Sequence, residues 1–294
     1  MEANKRRRTT MDPTHSNSSP LPEDVILKMI SHLSVSTLVS MKMTCRKWQN
    51  ICIPIIDSRR TAFTTNDGLC IAVKRFCIGY YSPSAFDYYD TTGYTKQLAN
   101  TYGWPIDNWD VSRLNNFSGV FFQQESFNED IHSWNVSNAT TMNRMFCNAA
   151  SFNQNINSWN VANVTNMSGM FYRTNFNNNI SSWNTSNAIC MQFVFAHSPF
   201  NNDISSWNTA QVQTISGMFC KSTAFNQDIS NWDTGQVTDM DHLFFEATAF
   251  NQNLSTWNTA NVTSMHLVFS NATAFFSSRL RLHHGADDIL DIDI

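Results

Sequence analysis

His132, His197, His242 and His266, together with the seven cysteines, are the side chains of this sequence best suited to proton transfer or nucleophilic attack. Such attack needs a base beside the nucleophile and a third group that orients the base. The four histidines have no recurrent carboxylate or cysteine partner in the sequence, so each reads as a surface or packing residue. The cysteine count is odd and has no framework spacing, which predicts reduced thiols in an intracellular protein. No CxxC pair, HExxH or glycine-rich phosphate loop is present, so neither an active site nor a metal or cofactor is expected.

The element that must position these residues is a repeat. Copies begin at Trp109, Trp134, Trp159, Trp183, Trp207, Trp232 and Trp257, a period of 25 residues with two copies of 24, which is the signature of a solenoid. Trp and the β-branched residue two places later (Val161 or Thr185, for example) alternate as a short strand does. In the third copy Val164, Met167, Met170 and Phe171 follow helical spacing, so a helix of about two turns with Thr165 as N-cap is expected. Ile189 replaces that cap in the fourth copy. The glycines at 119, 169 and 217 would then sit in the short helices and relieve crowding. The shortened copies lose a residue between Phe171 and Phe176 and between Phe195 and Phe200, which marks a loop there. Asn128, Asn153, Asn177, Asn201, Asn226 and Asn251 each follow the second Phe and predict a buried Asn ladder that satisfies turn backbone. No copy can bury its own Trp, Met and two Phe, so the copies must stack.

Positions that vary between copies are freed from stacking, which fits either recognition or the drift of solvated positions. One such column includes Arg173, His197, Lys221 and Glu246, and another includes Arg144, Phe193 and His242. These seven residues are the candidate target-binding set.

With 14% charged residues and a net charge of -4, no global basic field favours nucleic acid. No apolar run is long enough to span a membrane, and no signal-peptide core appears near the start. Residues 1–20 are polar and expected to be disordered, with a basic cluster at Lys5 to Arg8 that fits either nuclear import or a solvated tail. Residues 52–108 read as a linker and N-terminal cap containing a short helix at Leu69 to Phe76, with Trp104 a forerunner of the Trp column. Residues 276–294 are a C-terminal cap or a ragged end. Between 21 and 51, a Pro near the start, acidic residues and helical apolar spacing predict three short helices, too small to bury all their apolar side chains internally.

That segment, LPEDVILKMISHLSVSTLVSMKMTCRKWQNI, resembles an F-box in its opening Leu-Pro, its Ile30 to Leu33, its middle Leu38 and its Cys45 to Trp48. Met41 and Met43 depart from the smaller or branched residues usual there. The resemblance implies docking on the Skp-type adaptor of a cullin-RING ubiquitin ligase through Leu21, Pro22, Val25, Ile26, Ile30, Leu33, Leu38 and Trp48. Residues 109–275 resemble the BspA-like surface-protein repeat, most clearly from Trp134 to Trp159 and from Trp232 to Trp257. The expected fold is therefore α+β: a small three-helix F-box followed by a right-handed parallel solenoid of about seven strand and short-helix coils. The expected function is a non-catalytic substrate receptor, cytoplasmic or nuclear, that joins a target protein to the adaptor and through it to a cullin. Neither nucleic acid nor a membrane is expected as a partner. The alternatives are a surface adhesin, which glycans at Asn163 or Asn261 would mark, and an F-box scaffold without a ligase.

Overall fold

Seven repeats of 24 or 25 residues impose one backbone register. In the computed structural model, which describes residues 61–81, 97–98, 101–103 and 105–275, parallel bridges join Asn116 to Thr141, Thr141 to Asn166, Asn166 to Cys190, Cys190 to Thr214, Thr214 to Asp239 and Asp239 to Ser264. Each coil therefore lies directly on the next.

The bridges fall where the spacing predicts short helices, and those helices do not form. From Met167 to Arg173 alternate N–H groups divide their acceptors: Met167, Gly169, Phe171 and Arg173 donate to Cys190, Gln192, Val194 and Ala196 of the next coil at 2.7 to 3.0 Å, whereas Met170 and Tyr172 turn back to Met167 and Gly169. A run of tight turns results, with a left-handed residue at every fourth place, Gly169 at φ 64° and Arg173 at φ 54°. It buries Val164, Met167, Met170 and Phe171, the same set a helix would bury, so the apolar period alone does not separate the two. Thr165 does not cap a helix. Its hydroxyl donates to Thr140 O of the preceding coil at 3.1 Å, and Thr140, Thr238 and Thr263 repeat that bond.

Aromatic rings fill the interior. Phe121, Phe146, Phe171, Phe195, Phe219, Phe244 and Phe269 form a column with centroids 5.1 to 5.9 Å apart and rings nearly parallel. Within each coil a second Phe stacks on the first at 3.7 to 4.1 Å, as Phe176 does on Phe171. A buried indole also needs a hydrogen-bond partner. Trp134, Trp159, Trp183, Trp207, Trp232 and Trp257 each donate Nε1–H to the Ile carbonyl of the coil before, at 2.9 to 3.2 Å. The Trp column thus ties coils together as well as filling them.

The Asn column is a ladder, but a largely exposed one. Asn153 N–H donates to Asn128 Oδ1 at 2.8 Å, and Asn177, Asn201, Asn226 and Asn251 continue the series at 2.9 Å. In the two shortened coils Thr174 and Ser198 are buried, and their hydroxyls accept the N–H of Phe176 and Phe200. In a full-length coil that N–H goes to a carbonyl, as Phe152 does to Ala149. A hydroxyl side chain therefore compensates for the missing residue.

The glycine column has a steric logic that runs from coil to coil. Gly119, Gly169 and Gly217 hold left-handed φ of 60 to 65°, and the intervening Arg144 and Phe193 share that conformation at φ 54°. Arg144 lies over Gly169, and Phe193 covers Gly217 so closely that a Cβ there would overlap its ring, whereas at Gly119 it would meet only Phe122 Cβ at 3.7 Å. Gly119→Ala should therefore cost about 1–2 kcal/mol for the left-handed backbone, and Gly217→Ala about 1–3 kcal/mol more for overpacking. Chemical denaturation of both variants checks this, with Phe193→Ala in the Gly217→Ala background recovering the difference.

Before the first coil, α1 (Asn66–Tyr81) replaces a neighbouring coil. Thr65 Oγ1 accepts Gly68 N–H at 3.1 Å as its N-cap, and Asp67 lies in the first turn, so the helix starts ahead of the Leu69 predicted from its apolar residues. Leu69, Val73 and Phe76 form its buried face. Asn66 Nδ2 donates to Asn116 O and Ser118 O, both at 3.1 Å, so two of the first coil's outward carbonyls are answered by a side chain. Phe63, Phe76 and Tyr102 surround Trp109. Trp104, the F-box-like segment and residues 276–294 lie outside the described residues.

Candidate recognition edge

The left-handed residues of each coil recur at two places four apart, so the stack sets them in two parallel columns on one edge. All seven candidate target-binding residues belong to these columns: Arg144, Phe193 and His242 to the first, Arg173, His197, Lys221 and Glu246 to the second, all with φ between 54 and 58°. The sequence marks them as variable. The structure adds that the backbone turn aims them away from the interior, which is why their identity is free to change.

They interact with one another. The Arg173 guanidinium lies 5.3 Å from the Tyr172 ring centroid, and Tyr172 meets His197 edge-on at 5.4 Å. Lys221 Nζ is 3.4 Å from Glu246 Oε1 and 5.7 Å from the Phe245 ring centroid, and Phe245 also meets His242 at 5.7 Å. Tyr172 and Phe245 were not singled out by column variation, although their own column (Phe122, Cys147, Tyr172, Ala196, Cys220, Phe245, Ser270) varies as much. The basic residues of 109–275 are Arg113, Arg144, Arg173 and Lys221, and three of these four stand on this edge of an otherwise acidic array. Burial, then the charges of Arg173 and Lys221, hold the His197 pKa below the usual histidine value, so its imidazole is neutral at pH 7. Arg, Tyr and Phe on one ridge are the residue types that dominate protein interfaces.

A second cluster lies elsewhere, and it gives His132 the carboxylate partners that the sequence did not reveal. His132 Nδ1 is 3.0 Å from Asp130 and 3.6 Å from Asp107, and its Nε2 is 3.1 Å from Ser133 Oγ. This has the connectivity of a Ser-His-Asp triad. Both carboxylates, however, hold turn backbone: Asp130 accepts His132 N–H at 3.0 Å, as Asn155, Asn179, Asp203 and Asp228 do in later coils, and Asp107 accepts Ser133 N–H at 2.7 Å. The cluster is exposed beside an open depression of about 650 Å³ lined by Gln154, Asn155, Asn157 and Ser158. The turn accounts for the geometry without a substrate. The hydrogen bond that the His132 ring donates to the Asp130 carboxylate raises the His132 pKa. NMR titration should place its midpoint above 6.5, the reference value, with Asp130→Asn moving it back down.

The described cysteines are poor nucleophiles for a physical reason. Burial raises the thiol pKa of Cys70, Cys147, Cys190 and Cys220, and pushes Cys77 up to about 12. The adaptor-binding candidates Leu21, Pro22, Val25, Ile26, Ile30, Leu33, Leu38 and Trp48 lie outside the described residues.

Two comparisons with known families match. The family described as "Mycoplasma protein of unknown function, DUF285" matches residues 93–199 and again 174–281, and the F-box domain matches residues 19–53. No curated protein and no solved structure matches the chain.

Proposed function

The chain belongs to the DUF285 family over residues 93–281 and carries an F-box at 19–53, and from that pairing we propose that it is the substrate-recognition subunit of an SCF-type cullin-RING ubiquitin ligase. The F-box is the observation that carries the reading. In this proposal its three helices dock on a Skp-type adaptor through Leu21, Pro22, Val25, Ile26, Ile30, Leu33, Leu38 and Trp48. The right-handed array presents a target protein on the edge that bears Arg144, Arg173, Phe193, His197, Lys221, His242 and Glu246. The chain supplies no catalytic group, cofactor or metal. It raises the effective concentration of target near the ubiquitin carrier, in the cytoplasm or nucleus, and other subunits carry out the transfer.

The cation-rich edge on an acidic array supports a target with a complementary acidic surface. The Asn163 and Asn261 side-chain amides donate to Ser137 O and Gly235 O of the preceding coil at 2.8 and 2.6 Å, so these Asn-x-Thr sites have a structural role that needs no glycan.

Affinity capture with the full chain tests the proposal: a Skp-type adaptor and a cullin should be recovered together with a target, and Arg173→Glu with Lys221→Glu should lose the target while keeping adaptor and cullin. Adaptor without cullin would indicate a scaffold. Occupied glycans at Asn163 or Asn261 would indicate a surface protein.

A further inference from the structure

The candidate recognition edge has a coarser period than the coil. In its first column glycine recurs in alternate coils, at Gly119, Gly169 and Gly217, and a larger side chain leans across from the coil before. Arg144 Cγ would lie 3.4 Å from a Cβ at Gly169, and the Phe193 ring fills the same place over Gly217. Gly169 and Gly217 are buried beneath these side chains, whereas Gly119, which follows α1 instead of a coil, is half-buried.

Two clusters of different chemistry result. Arg144 is rooted in the second coil but reaches over the third, which carries Arg173 and Tyr172. Burial raises the Cys147 thiol pKa and the charges of Arg144 and Arg173 both oppose it, so the two guanidiniums lie near one thiol. Neither has a carboxylate at ion-pair distance among the described residues, whereas Lys221 is held by Glu246 at 3.4 Å. The third coil therefore presents two cations with no internal counter-charge. Phe193 crosses in the same way from the fourth coil to the fifth and is 40% exposed, which makes it an apolar anchor.

At the strand spacing of about 4.8 Å per coil, the two clusters stand roughly 10 Å apart on one side of the stack. A partner must set an anion and an apolar side chain at that distance on one face. Same-facing side chains of a β-strand recur at about 6.6 Å, too short at one step and too long at two. Those of a polyproline II segment recur every three residues, at about 9.3 Å. Tyr172, Phe193 and Phe245 supply the aromatic ridges on which such a segment docks.

The geometry points to a target segment in the polyproline II conformation in which an Asp or Glu and a large apolar residue stand three positions apart, the carboxylate held between Arg144 and Arg173 and the apolar side chain against Phe193. This rests on the reading of the edge as the target-binding surface and does not depend on the F-box.

Fluorescence anisotropy with the full chain and labelled proline-rich octapeptides tests it. A peptide with Asp and Leu three apart, in one chain direction or the other, should bind about tenfold or more tightly than one with the pair adjacent or with Asn in place of Asp. Arg144→Glu with Arg173→Glu should reverse the preference toward a peptide with Lys in place of Asp, and Phe193→Ala should abolish discrimination between Leu and Ala in the peptide. Near-ultraviolet circular dichroism checks that the stack is intact in both variants. Equal affinity at all spacings, no binding of any peptide, or tighter binding of a helical peptide with the pair seven apart would overturn the inference. The receptor reading fails separately, through absence of adaptor, cullin or target from affinity capture.

Discussion

Alanine at Leu21, Pro22 and Trp48 together is expected to abolish capture of a Skp-type adaptor while leaving the repeat array folded. The segment that contains them matches an F-box, and the proposed reading makes its apolar residues the anchors of the adaptor contact. Truncating one central apolar anchor of an interface costs about 2 kcal/mol or more. Three at once, even without full additivity, should weaken binding by roughly a thousandfold. Calorimetry with purified adaptor measures that loss, and near-ultraviolet circular dichroism of the stacked Trp and Phe columns reports separately on the array. Wild-type affinity in the triple variant would remove the ligase reading and leave the proposed binding edge of the array untouched. Loss of both signals would show instead that the segment is part of the array's fold.

How much of this was legible in the sequence depended on which physical constraint wrote the pattern. Burial wrote the Trp and Phe columns, so period, coil count and stacking followed from spacing alone. The backbone conformation of Met167 to Arg173 did not follow, because a helix and a run of tight turns bury the same four side chains. The glycines were the available clue: Gly119, Gly169 and Gly217 recur where φ is positive, and a helix has no use for glycine there. The Asn ladder was legible as a hydrogen-bonding column but not as an exposed one, since Asn Oδ1 accepts a neighbouring N–H equally well at the surface. The candidate recognition edge was legible as variation in two columns. Its aromatic partners Tyr172 and Phe245 were not singled out, and the turn that places them beside Arg173 and Lys221 became visible only with the backbone. His132 gained Asp107 from a preceding coil, a contact no local motif encodes.

Phe171→Ala is expected to be the most destabilising single substitution in the array, and its position explains why. Phe171 is fully buried and lies 5.7 Å from Phe146, 4.1 Å from Phe176, 5.8 Å from Phe195 and 6.3 Å from Trp183. Its removal leaves a cavity with rings on every side that backbone bridges prevent from closing, for a cost of about 3–5 kcal/mol. For a domain of this size that lowers the melting midpoint by roughly 6–20 °C. Phe269→Ala removes the same side chain from the last described coil, where Phe244 and Phe275 are the ring partners and the residue is already 8% exposed, so it should cost visibly less. The comparison matters because an array coupled only to nearest neighbours divides where its weakest interface lies. A break at the third coil separates Arg144 from His197, Lys221 and His242, so Phe171→Ala should lose target together with thermal stability. Arg173→Glu with Lys221→Glu, on the surface of the same coils, should lose target at an unchanged midpoint. Equal melting midpoints for Phe171→Ala and Phe269→Ala would mean that the array does not fold by neighbour coupling, and the recognition edge could not then be credited to the stack that aligns it.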